Sequence, residues 1–596
     1  MIAVAVLICS YTSQQKDKII FASETNAGIN IDQDVSEDNA AIQVNLQEDT
    51  AGTEGTQEEI SIYTEDTGSC LECPVCADEG QENSVIAEAS ESPKSIDVTA
   101  TPNVMLNEQD NPGKTGIKTG GYAVASSSSE ATLAGIEILE NGGNAIDAAV
   151  AVAFALSVAE PYSSGIGGGG FMLVYDPGND EAWSVDYYTA AGGAETQSGN
   201  TGVPGFLAGM QAALDTWGTM SLSNVMEPAI KLAEDGFTVT DTFMTRLAYS
   251  STLLTNPAFA GIKAGDNLVQ SELADTLKQI QVNGIDAFYN GSIGKDFACA
   301  SGLMVDDLAS YEVVIERAVQ CNAFGHTLYA TTAPSSGITT LQMVKLAEML
   351  DIETPEQNTL SYINDLRTIT TAAYSSRSKT LVDPRFYDID YDTLLSDEYL
   401  TELITNESMA DDAERHCTTQ FSVIDQNGMI VCCTNTLSDS WGSYQMVDGF
   451  YMNDTLSLFG SSEKLSYEPY KRPRTHFSPI IVRDMESDNS LAIGSPGGNN
   501  IPRVIASVLI DVLKNGTDVQ AAVDKARVLI DEDGYVCMET EDVSRSIIDT
   551  SKVTSACYWN SSHIYFGCTS VVGYISDYGV FAVCDLRRKT AAASSE

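Results

Sequence analysis

The segment from residue 144 to residue 176 constrains the fold more than any other part of the sequence. Between Ala145 and about Val158 nearly every residue is apolar, and Asp147 is the one charged residue. Asn144 precedes this run and Asp147 follows three residues later, a pattern typical of a capping box, so we predict a helix beginning at Ala145. Because a helix that is apolar nearly all round has no face suited to water, we expect it to be buried.

Strand and helix patterns surround this predicted helix. The sequence GGYAVAS indicates a short strand, and the helical pattern after it is stopped by Gly142-Gly143. The run PYSSGIGGGG leads into the strand pattern FMLVYD, and its four consecutive glycines allow backbone conformations closed to other residues. Helical patterns and loops alternate over about 200–415, and strand patterns dominate the C-terminal third. Helices packed on antiparallel sheets, an α+β fold, suit this order best.

A hairpin is predicted within FSVIDQNGMIVCCTNTL, at residues 421–437. Asn-Gly between two apolar strands favours a two-residue type I′ turn. With Asn427-Gly428 central, Thr419 faces Thr436, and Thr418 lies beside Thr436 and Leu437. The hairpin therefore brings two threonines together at the end of its strands.

The first 116 residues differ in character from the rest. Residues 2–9 are apolar but too few to span a bilayer, so we interpret them as a truncated signal-like segment, with a lipid anchor at Cys9 as an alternative. Residues 10–116 are rich in acidic and small polar residues, which predicts a disordered acidic tether. These features predict an extracellular, cell-surface or periplasmic protein.

Charge and cysteine content exclude several partners. The formal net charge is −53, which disfavours nucleic acid and acidic membranes, so we predict no membrane contact beyond an N-terminal anchor. The run CLECPVC at 70–76 has three cysteines and no fourth ligand nearby, whereas tetrahedral zinc needs four. We predict a disulfide or free thiols there and no metal site.

Seven segments resemble those of the γ-glutamyltranspeptidase family and occur in the family's order. They are GGNAIDAAVAVAFALSVAEPYSSGIGGGGFMLVYD at 142–176, VPGFLAGM at 203–210, EPAIKLAEDGF at 227–237, APSSGITTLQM at 333–343, CTTQFSVID at 417–425, KRPRTHFSP at 471–479 and GSPGG at 494–498. Any one of them is a weak signal. Together they extend the resemblance over about 120–590.

The resemblance implies a fold, a processing step and a class of reaction. The fold is the four-layer αββα arrangement of N-terminal nucleophile (Ntn) hydrolases. The precursor cuts itself between Cys417 and Thr418 into a large subunit, 117–417, and a small catalytic subunit, 418–596, which form a heterodimer. The family implies a γ-glutamyl or related small-molecule acyl amide as donor, water or an amine as acceptor, and no metal or organic cofactor.

Four residues match the family's catalytic positions. Thr418 matches the nucleophile, and a threonine hydroxyl needs an adjacent base, which the freed α-amino group supplies. Thr436 matches the threonine that hydrogen-bonds the nucleophile. Gly497 and Gly498 match the paired backbone N–H donors to the oxyanion, each usually worth about 3–4 kcal/mol.

The positions that bind the donor's α-amino group depart from the family. The family's asparagine aligns with Ser438, and its N-N-[QE]-M-D-D run is residues 453–458 here. Thr455 takes the third position of that run, and Leu458 replaces the amine-binding aspartate. The partner for a charged amine is therefore missing.

The positions that bind the donor's α-carboxylate also depart. The family's D-x-R-E-x-A-P segment is residues 186–192, with Tyr188 in place of arginine, and its Ser-Ser pair is Thr475-His476. Loss of a bidentate arginine contact is not conservative. Arg474 or His476 could supply the missing positive charge, and ion pairing with acidic residues is the alternative role for this basic cluster.

Three functions remain open at this point. The first is a γ-glutamyl hydrolase or transferase with altered specificity. The second is a glutaryl or polyglutamyl acylase of the same fold. The third is a catalytically silent surface protein, against which the intact Thr418, Thr436 and GSPGG argue.

We expect the mature protein to contain a fragment that begins at Thr418, because the TTQFSV motif lies at the family's cleavage position. Edman sequencing of the smaller band should read Thr-Thr-Gln-Phe. Another first residue, or a single intact chain in pure mature protein, contradicts this expectation.

Overall fold

The structure is a computed structural model that describes residues 120–596 apart from 198, 255, 355–358, 406–416, 532–533, 540–555, 560–565, 584, 586, 588–590 and 596. The predicted signal-like segment, tether and CLECPVC run lie outside the described residues.

The described residues form twenty strands and sixteen α-helices. The strands are β1 Ala123–Ser126, β2 Gly169–Asp176, β3 Glu181–Tyr187, β4 Phe237–Thr238, β5 Asn267–Leu268, β6 Val314–Arg317, β7 Val319–Ala323, β8 His326–Ala330, β9 Cys417–Ile424, β10 Ile430–Ser438, β11 Met446–Val447, β12 Phe450–Tyr451, β13 Ile480–Arg483, β14 Ser490–Gly494, β15 Val528–Ile530, β16 Val536–Glu539, β17 Ala556–Trp559, β18 Ser570–Ile575, β19 Gly579–Val583 and β20 Ala591–Ser594. The helices are α1 Ser129–Glu140, α2 Ala145–Ala159, α3 Phe206–Trp217, α4 Leu222–Asp235, α5 Asp241–Leu247, α6 Ser251–Leu254, α7 Ser271–Asn283, α8 Asp286–Tyr289, α9 Ser292–Ser301, α10 Val305–Ala309, α11 Gly337–Met349, α12 Thr359–Thr380, α13 Tyr391–Leu394, α14 Asp397–Thr405, α15 Ile501–Leu513 and α16 Val519–Asp524.

The predicted buried helix is α2, and all of its residues are buried. The Asn144 side chain accepts hydrogen bonds from the backbone of Ile146 and Asp147, and the Asp147 carboxylate accepts from the Asn144 backbone, so the predicted capping box is confirmed. The helix contacts α1, α3 and α4, and it also contacts β9 and β10. It is thus enclosed between other helices and a sheet, as its composition requires.

Two antiparallel sheets stack between two helical layers. One sheet has the order β20-β1-β9-β10-β2-β3-β6, and the other has the order β19-β18-β14-β13-β8-β7. Apolar side chains such as Leu173, Ile481 and Val572 fill the space between the sheets. Helices α1 to α4 cover the first sheet, and α11 and α15 cover the second. This is the predicted αββα arrangement.

The strands on either side of Cys417 are interleaved. In the first sheet β1 pairs with β9 on one side and with β20 on the other, although β1 precedes Cys417 and the other two begin at or after it. In the second sheet β8 pairs with β13 across the same division. A cut after Cys417 therefore leaves two chains that share both sheets.

The β9–β10 hairpin forms, but its predicted turn and register are wrong. Ile424 pairs with Ile430, and the loop closes with Gly428 N–H donating to Asp425 O at 3.0 Å and Asp425 N–H donating to Met429 O at 3.1 Å. Gly428 has φ +82°, so this is a three-residue loop ending on a left-handed glycine. The register moves by one residue, and Thr418, not Thr419, pairs with Thr436.

The Asp425 side chain accounts for the longer loop. Its Oδ1 accepts from the backbone N–H of Asn427 at 2.8 Å and of Met429 at 3.1 Å. Its Oδ2 accepts from Ala145 N–H at 2.9 Å, at the start of α2. The carboxylate therefore builds the turn and attaches it to the buried helix at once.

Candidate active site

Thr418 lies at the beginning of β9 and is 2% exposed. Its hydroxyl is buried and has no hydrogen-bond partner among the described residues. A buried hydroxyl that lacks a partner usually costs about 1–3 kcal/mol and calls for an explanation. Catalysis is one such explanation, because a nucleophile must keep its lone pairs available.

The Thr436 hydroxyl contacts the peptide bond that precedes Thr418. It donates to the carbonyl oxygen of Cys417 at 2.5 Å and accepts from the backbone N–H of Ser438 at 2.8 Å. The Cys417 oxygen is the nearer of two acceptors for the hydroxyl proton, since the Ser438 carbonyl oxygen lies 3.4 Å away. In the uncut chain Thr436 thus polarises the Cys417 carbonyl, while the Thr418 hydroxyl stays free.

The glycine loop approaches from the second sheet. A Cβ at Gly494, the last residue of β14, would lie 2.2 Å from Cδ of Gln420, so β14 ends directly on β9. Thr418 and Gln420 share one face of β9, since side chains alternate along a strand. The Gly497-Gly498 loop that continues from β14 therefore emerges on the face where Thr418 lies.

The conformation of this loop requires glycine. Gly497 and Gly498 have φ +147° and +58°. The preceding Ser495 accepts a hydrogen bond from Cys568 N–H at 3.0 Å, which anchors the loop to a neighbouring segment. A short 3-10 turn and then α15 follow, so the loop precedes a helix N-terminus, where backbone N–H groups favour negative charge.

The glycine run Gly167–Gly170, which leads into β2, serves close approach. None of these four glycines has a positive φ, so the left-handed conformations that the run allows are not used there. A Cβ at Gly168 would lie 2.1 Å from Thr436 O, and one at Gly170 would lie 2.3 Å from Thr434 O. The missing side chains let this segment lie directly against β10 beside the site.

Ser438 is the last residue of β10, and Thr455 belongs to a segment that is held beside the end of this strand. Ser438 has φ +80°, a rare conformation for serine, and Asp454 N–H donates to Leu437 O at 3.1 Å, which holds the neighbouring segment there. Both hydroxyls are buried without a partner among the described residues. Backbone strain and unpartnered hydroxyls at one place are typical of binding sites.

An aromatic cluster surrounds the position where the family has its arginine. The Tyr188 ring lies 5.8 Å from Phe171 and 5.5 Å from Phe477, measured between ring centroids, and Tyr188 is 1% exposed. The adjacent Thr189 hydroxyl is buried and has no partner among the described residues. Leu458 packs against the large apolar core of the second sheet, to which Tyr188 and Phe477 also belong.

Two of the basic residues before Phe477, Lys471 and Arg472, form ion pairs. Arg472 is buried and its guanidinium lies 2.6 Å from the Asp186 carboxylate, while Lys471 lies 2.7 Å from Glu468. Ion pairing thus explains these two residues, and neither was predicted as a site residue. The three predicted residues of this segment, Arg474, Thr475 and His476, are buried as well.

Thr475 and His476 are held by surrounding elements. Thr475 N–H donates to Pro334 O at 2.9 Å, and its carbonyl accepts from the Ser336 hydroxyl at 2.7 Å. The His476 ring stacks on the Tyr374 ring, with 6.4 Å between the ring centroids. The Arg503 guanidinium also lies over the Tyr374 ring, 4.1 Å from its centroid. Whether Arg474 or His476 binds a donor carboxylate stays a prediction.

Sequence reasoning missed a carboxylate on the other face of β9. Glu160, at the end of α2, accepts hydrogen bonds from the hydroxyls of Ser127, Tyr162 and Thr419. The sequence feature that could have indicated Glu160 is its place as an acidic residue directly after an almost entirely apolar helix, but it belongs to no motif.

Two further findings concern metals and membranes. Within the described part of the chain, His, Cys, Asp and Glu side chains form no group of three or more that could hold a metal ion. No described helix combines the length and apolar composition that a membrane span requires.

The αββα fold has a threonine at the beginning of a strand, beside a peptide carbonyl that a second threonine polarises. This arrangement is that of an Ntn hydrolase. The family model for γ-glutamyltranspeptidase matches residues 131–595. The chain therefore belongs to the γ-glutamyltranspeptidase family and is an amide hydrolase or acyltransferase of that kind.

Several known proteins are similar to this chain. The capsule biosynthesis protein CapD proenzyme of Bacillus anthracis is 37% identical over 399 residues, covering 65% of this chain and 75% of the relative. The glutathione hydrolase proenzyme of Bacillus subtilis is 30% identical over 512 residues, covering 74% and 84%. A cephalosporin acylase from Bacillus halodurans shares the fold, with TM-score 0.69, 23% identity and coverage of 82% and 99%.

Replacing Thr436 with valine should slow self-cleavage by about 10²–10³-fold, because the developing negative charge on the Cys417 oxygen loses a donor usually worth about 3–4 kcal/mol. The measurement is the rate at which purified precursor gives two bands on a denaturing gel. Thr436→Ser keeps the hydroxyl and should cleave within about tenfold of wild type. Equal rates for the valine variant and wild type would show that this hydrogen bond does not assist the cut.

Proposed function

We propose that this enzyme cuts itself between Cys417 and Thr418 and then uses Thr418 as the nucleophile of acyl transfer. The observation that carries the proposal is the unpartnered Thr418 hydroxyl beside a carbonyl that Thr436 polarises. The Thr418 oxygen attacks the Cys417 carbonyl carbon, the C–N bond breaks, and the departing nitrogen takes the hydroxyl proton, so an ester forms and the Thr418 α-amino group is freed. Water then hydrolyses the ester, which releases the Cys417 carboxylate and restores the Thr418 hydroxyl.

The same hydroxyl then serves turnover. The free α-amine takes the hydroxyl proton as the oxygen attacks the donor's amide carbonyl. Backbone N–H groups of Gly497 and Gly498 stabilise the tetrahedral oxyanion, and the leaving amine departs with the proton. Water or an amine acceptor then removes the acyl group from Thr418.

The donor-binding region favours a donor without a free α-amino group. Tyr188 packs in an aromatic cluster where the family has a guanidinium, and Leu458, where the family has a carboxylate, packs against the apolar core to which that cluster belongs. A charged amine there would be desolvated without a partner. The unpartnered hydroxyls of Ser438, Thr455 and Thr189 suit neutral polar groups instead.

Glutaryl amides and internal polyglutamyl amides meet this description. Both present a γ-type amide carbonyl without a free α-ammonium group at the reacting unit. Arg474 or His476 would bind the carboxylate that such donors carry. The glutathione hydrolases among the relatives act on glutathione by name, and this chain keeps their reaction with a different head-group preference.

Thr418→Ala should abolish both cleavage and turnover, because one hydroxyl performs both steps. The assay is a denaturing gel together with hydrolysis of an acyl anilide by the same preparation, and mass spectrometry of the wild-type small fragment should show the acyl adduct on Thr418. Thr418→Ser keeps a hydroxyl and should retain part of both activities. Normal maturation of the alanine variant would assign the nucleophile elsewhere.

The glutaryl anilide should have the higher kcat/KM when compared with the matched γ-glutamyl anilide on mature enzyme. Leu458→Asp should move this ratio toward the γ-glutamyl compound, because it restores a carboxylate for the amine, whereas Leu458→Asn should do so far less. The proposed preference is refuted if the γ-glutamyl compound is ahead by tenfold or more, about 1.4 kcal/mol of transition-state binding.

A further inference from the structure

Glu160 joins three separate segments beneath the nucleophile strand. Its Oε2 accepts from the Ser127 hydroxyl at 2.7 Å and from the Thr419 hydroxyl at 2.8 Å, and its Oε1 accepts from the Tyr162 hydroxyl at 3.1 Å. Glu160 is 8% exposed. An ionised carboxyl group is purely an acceptor, so three donors suit a carboxylate.

This cluster replaces sheet pairing where that pairing stops. Strand β1 pairs with β9 only as far as Ser126 and Phe421. Among the described residues, the β1 side of β9 has no further strand partner in that register toward Cys417, and the Ser127 hydroxyl lies there, 2.7 Å from the Thr419 hydroxyl. Each hydroxyl carries one proton, and when both protons go to Glu160 the two hydroxyl oxygens are in contact through the carboxylate that they share. Glu160 therefore attaches the first residues of β9 to the loop that follows β1.

The proposed cut changes what holds Thr418. Before the cut Thr418 is fixed on both sides by peptide bonds, and the Thr436 hydroxyl holds the Cys417 carbonyl. Afterwards Thr418 is a chain end, and chain ends are poorly ordered unless they are tied down. Pairing with β10 still holds one edge of the strand end. On the opposite edge, toward β1, Thr419 is the residue through which the strand end is fixed.

The cut also creates charge at this place. A new α-amino group appears on Thr418, one residue from the threonine that Glu160 binds. A nearby negative charge favours the protonated form of an amine. The Glu160 carboxylate therefore affects what fraction of the α-amino group is neutral, and the neutral form is the base that activates the nucleophile.

We propose that Glu160 is a positioning residue that holds Thr418 in place after the cut and favours the protonated form of its new α-amino group. The inference rests on the proposed function, since it requires Thr418 to be the new chain end. Glu160 acts through the Thr419 hydroxyl and through its charge, and it does not touch the donor.

In the described part of the chain, Tyr162 and Arg246 are titratable side chains that interact with Glu160. Burial and the Glu160 carboxylate raise the pKa of Tyr162 well above its ordinary value, so this hydroxyl stays a donor. Arg246, from α5, faces Tyr162, Glu160 and Cys417 with its positive charge. Glu160→Gln removes one of the causes that raise the pKa of each group, but tyrosine and arginine ordinarily titrate at about 10 or higher. Neither group therefore produces the acid limb of the pH profile, and a shift of that limb reports the effect of the lost carboxylate on the α-amino group.

The test separates charge from attachment. Glu160→Gln keeps the shape and removes the charge, so the acid limb of the pH profile of kcat/KM should move to lower pH by at least half a unit. Thr419→Val keeps the charge and removes the hydrogen bond, so kcat should fall at least tenfold, and Thr419→Ser should restore it to within about threefold. Glu130→Gln, which removes a partly exposed carboxylate on the neighbouring helix α1, is the matched control and should change neither value.

Either of two results would overturn the inference: an acid limb of Glu160→Gln that coincides with wild type, or a kcat of Thr419→Val equal to wild type. If Glu160→Gln does not fold, as judged by thermal melting, the Thr419 pair decides. Edman sequencing of the small fragment separates this test from that of the function. A fragment that does not begin at Thr418 refutes the proposed function itself, whereas a correct, active fragment with indifferent variants refutes only the role of Glu160.

Discussion

The pairing of β9 with β10 positions the two threonines that the proposed chemistry uses. Thr418 and Thr436 face each other because the hairpin register is set at its far end, where Asp425 builds the loop and contacts the N-terminus of α2. A slip of one residue would turn the side chains of β9 to the opposite face and separate the Thr436 hydroxyl from the Cys417 carbonyl. The buried helix, the loop and the site thus depend on one register.

The two faces of β9 have different tasks. Thr418 and Gln420 face the second sheet, from which the glycine loop arrives, and Thr419 faces the helical layer and Glu160. Alternation along the strand therefore assigns chemistry to one face and support to the other. A pair of adjacent threonines serves this division well, since each presents a hydroxyl to its own side.

The sequence predicted helices packed on antiparallel sheets from its apolar patterns, and it implied the four layers through the family resemblance of its ordered motifs, because these are local signals. The sequence's assignment of Thr418 as the nucleophile stays a prediction. The sequence missed the turn, since Asn-Gly favours a two-residue loop and the competing hydrogen bonds of Asp425 depend on α2, far away in the chain. It also could not show that Arg472 pairs with Asp186, which lies 286 residues earlier. The role of Glu160 was not predicted for the same reason, because its partners Ser127 and Thr419 belong to distant segments.

The interleaving of strands from the two sides of Cys417 affects how the mature protein recovers from unfolding. While the chain is continuous, folding is a unimolecular process in which β1 can find its place between β9 and β20. After the cut the same arrangement contains two molecules, so recovery from complete unfolding becomes a bimolecular encounter that depends on concentration. The persistence of the mature enzyme is then governed by how slowly its shared sheets open, and not by an equilibrium to which it can return. The continuous chain thus assists the first folding of the protein, and the mature enzyme no longer has this assistance.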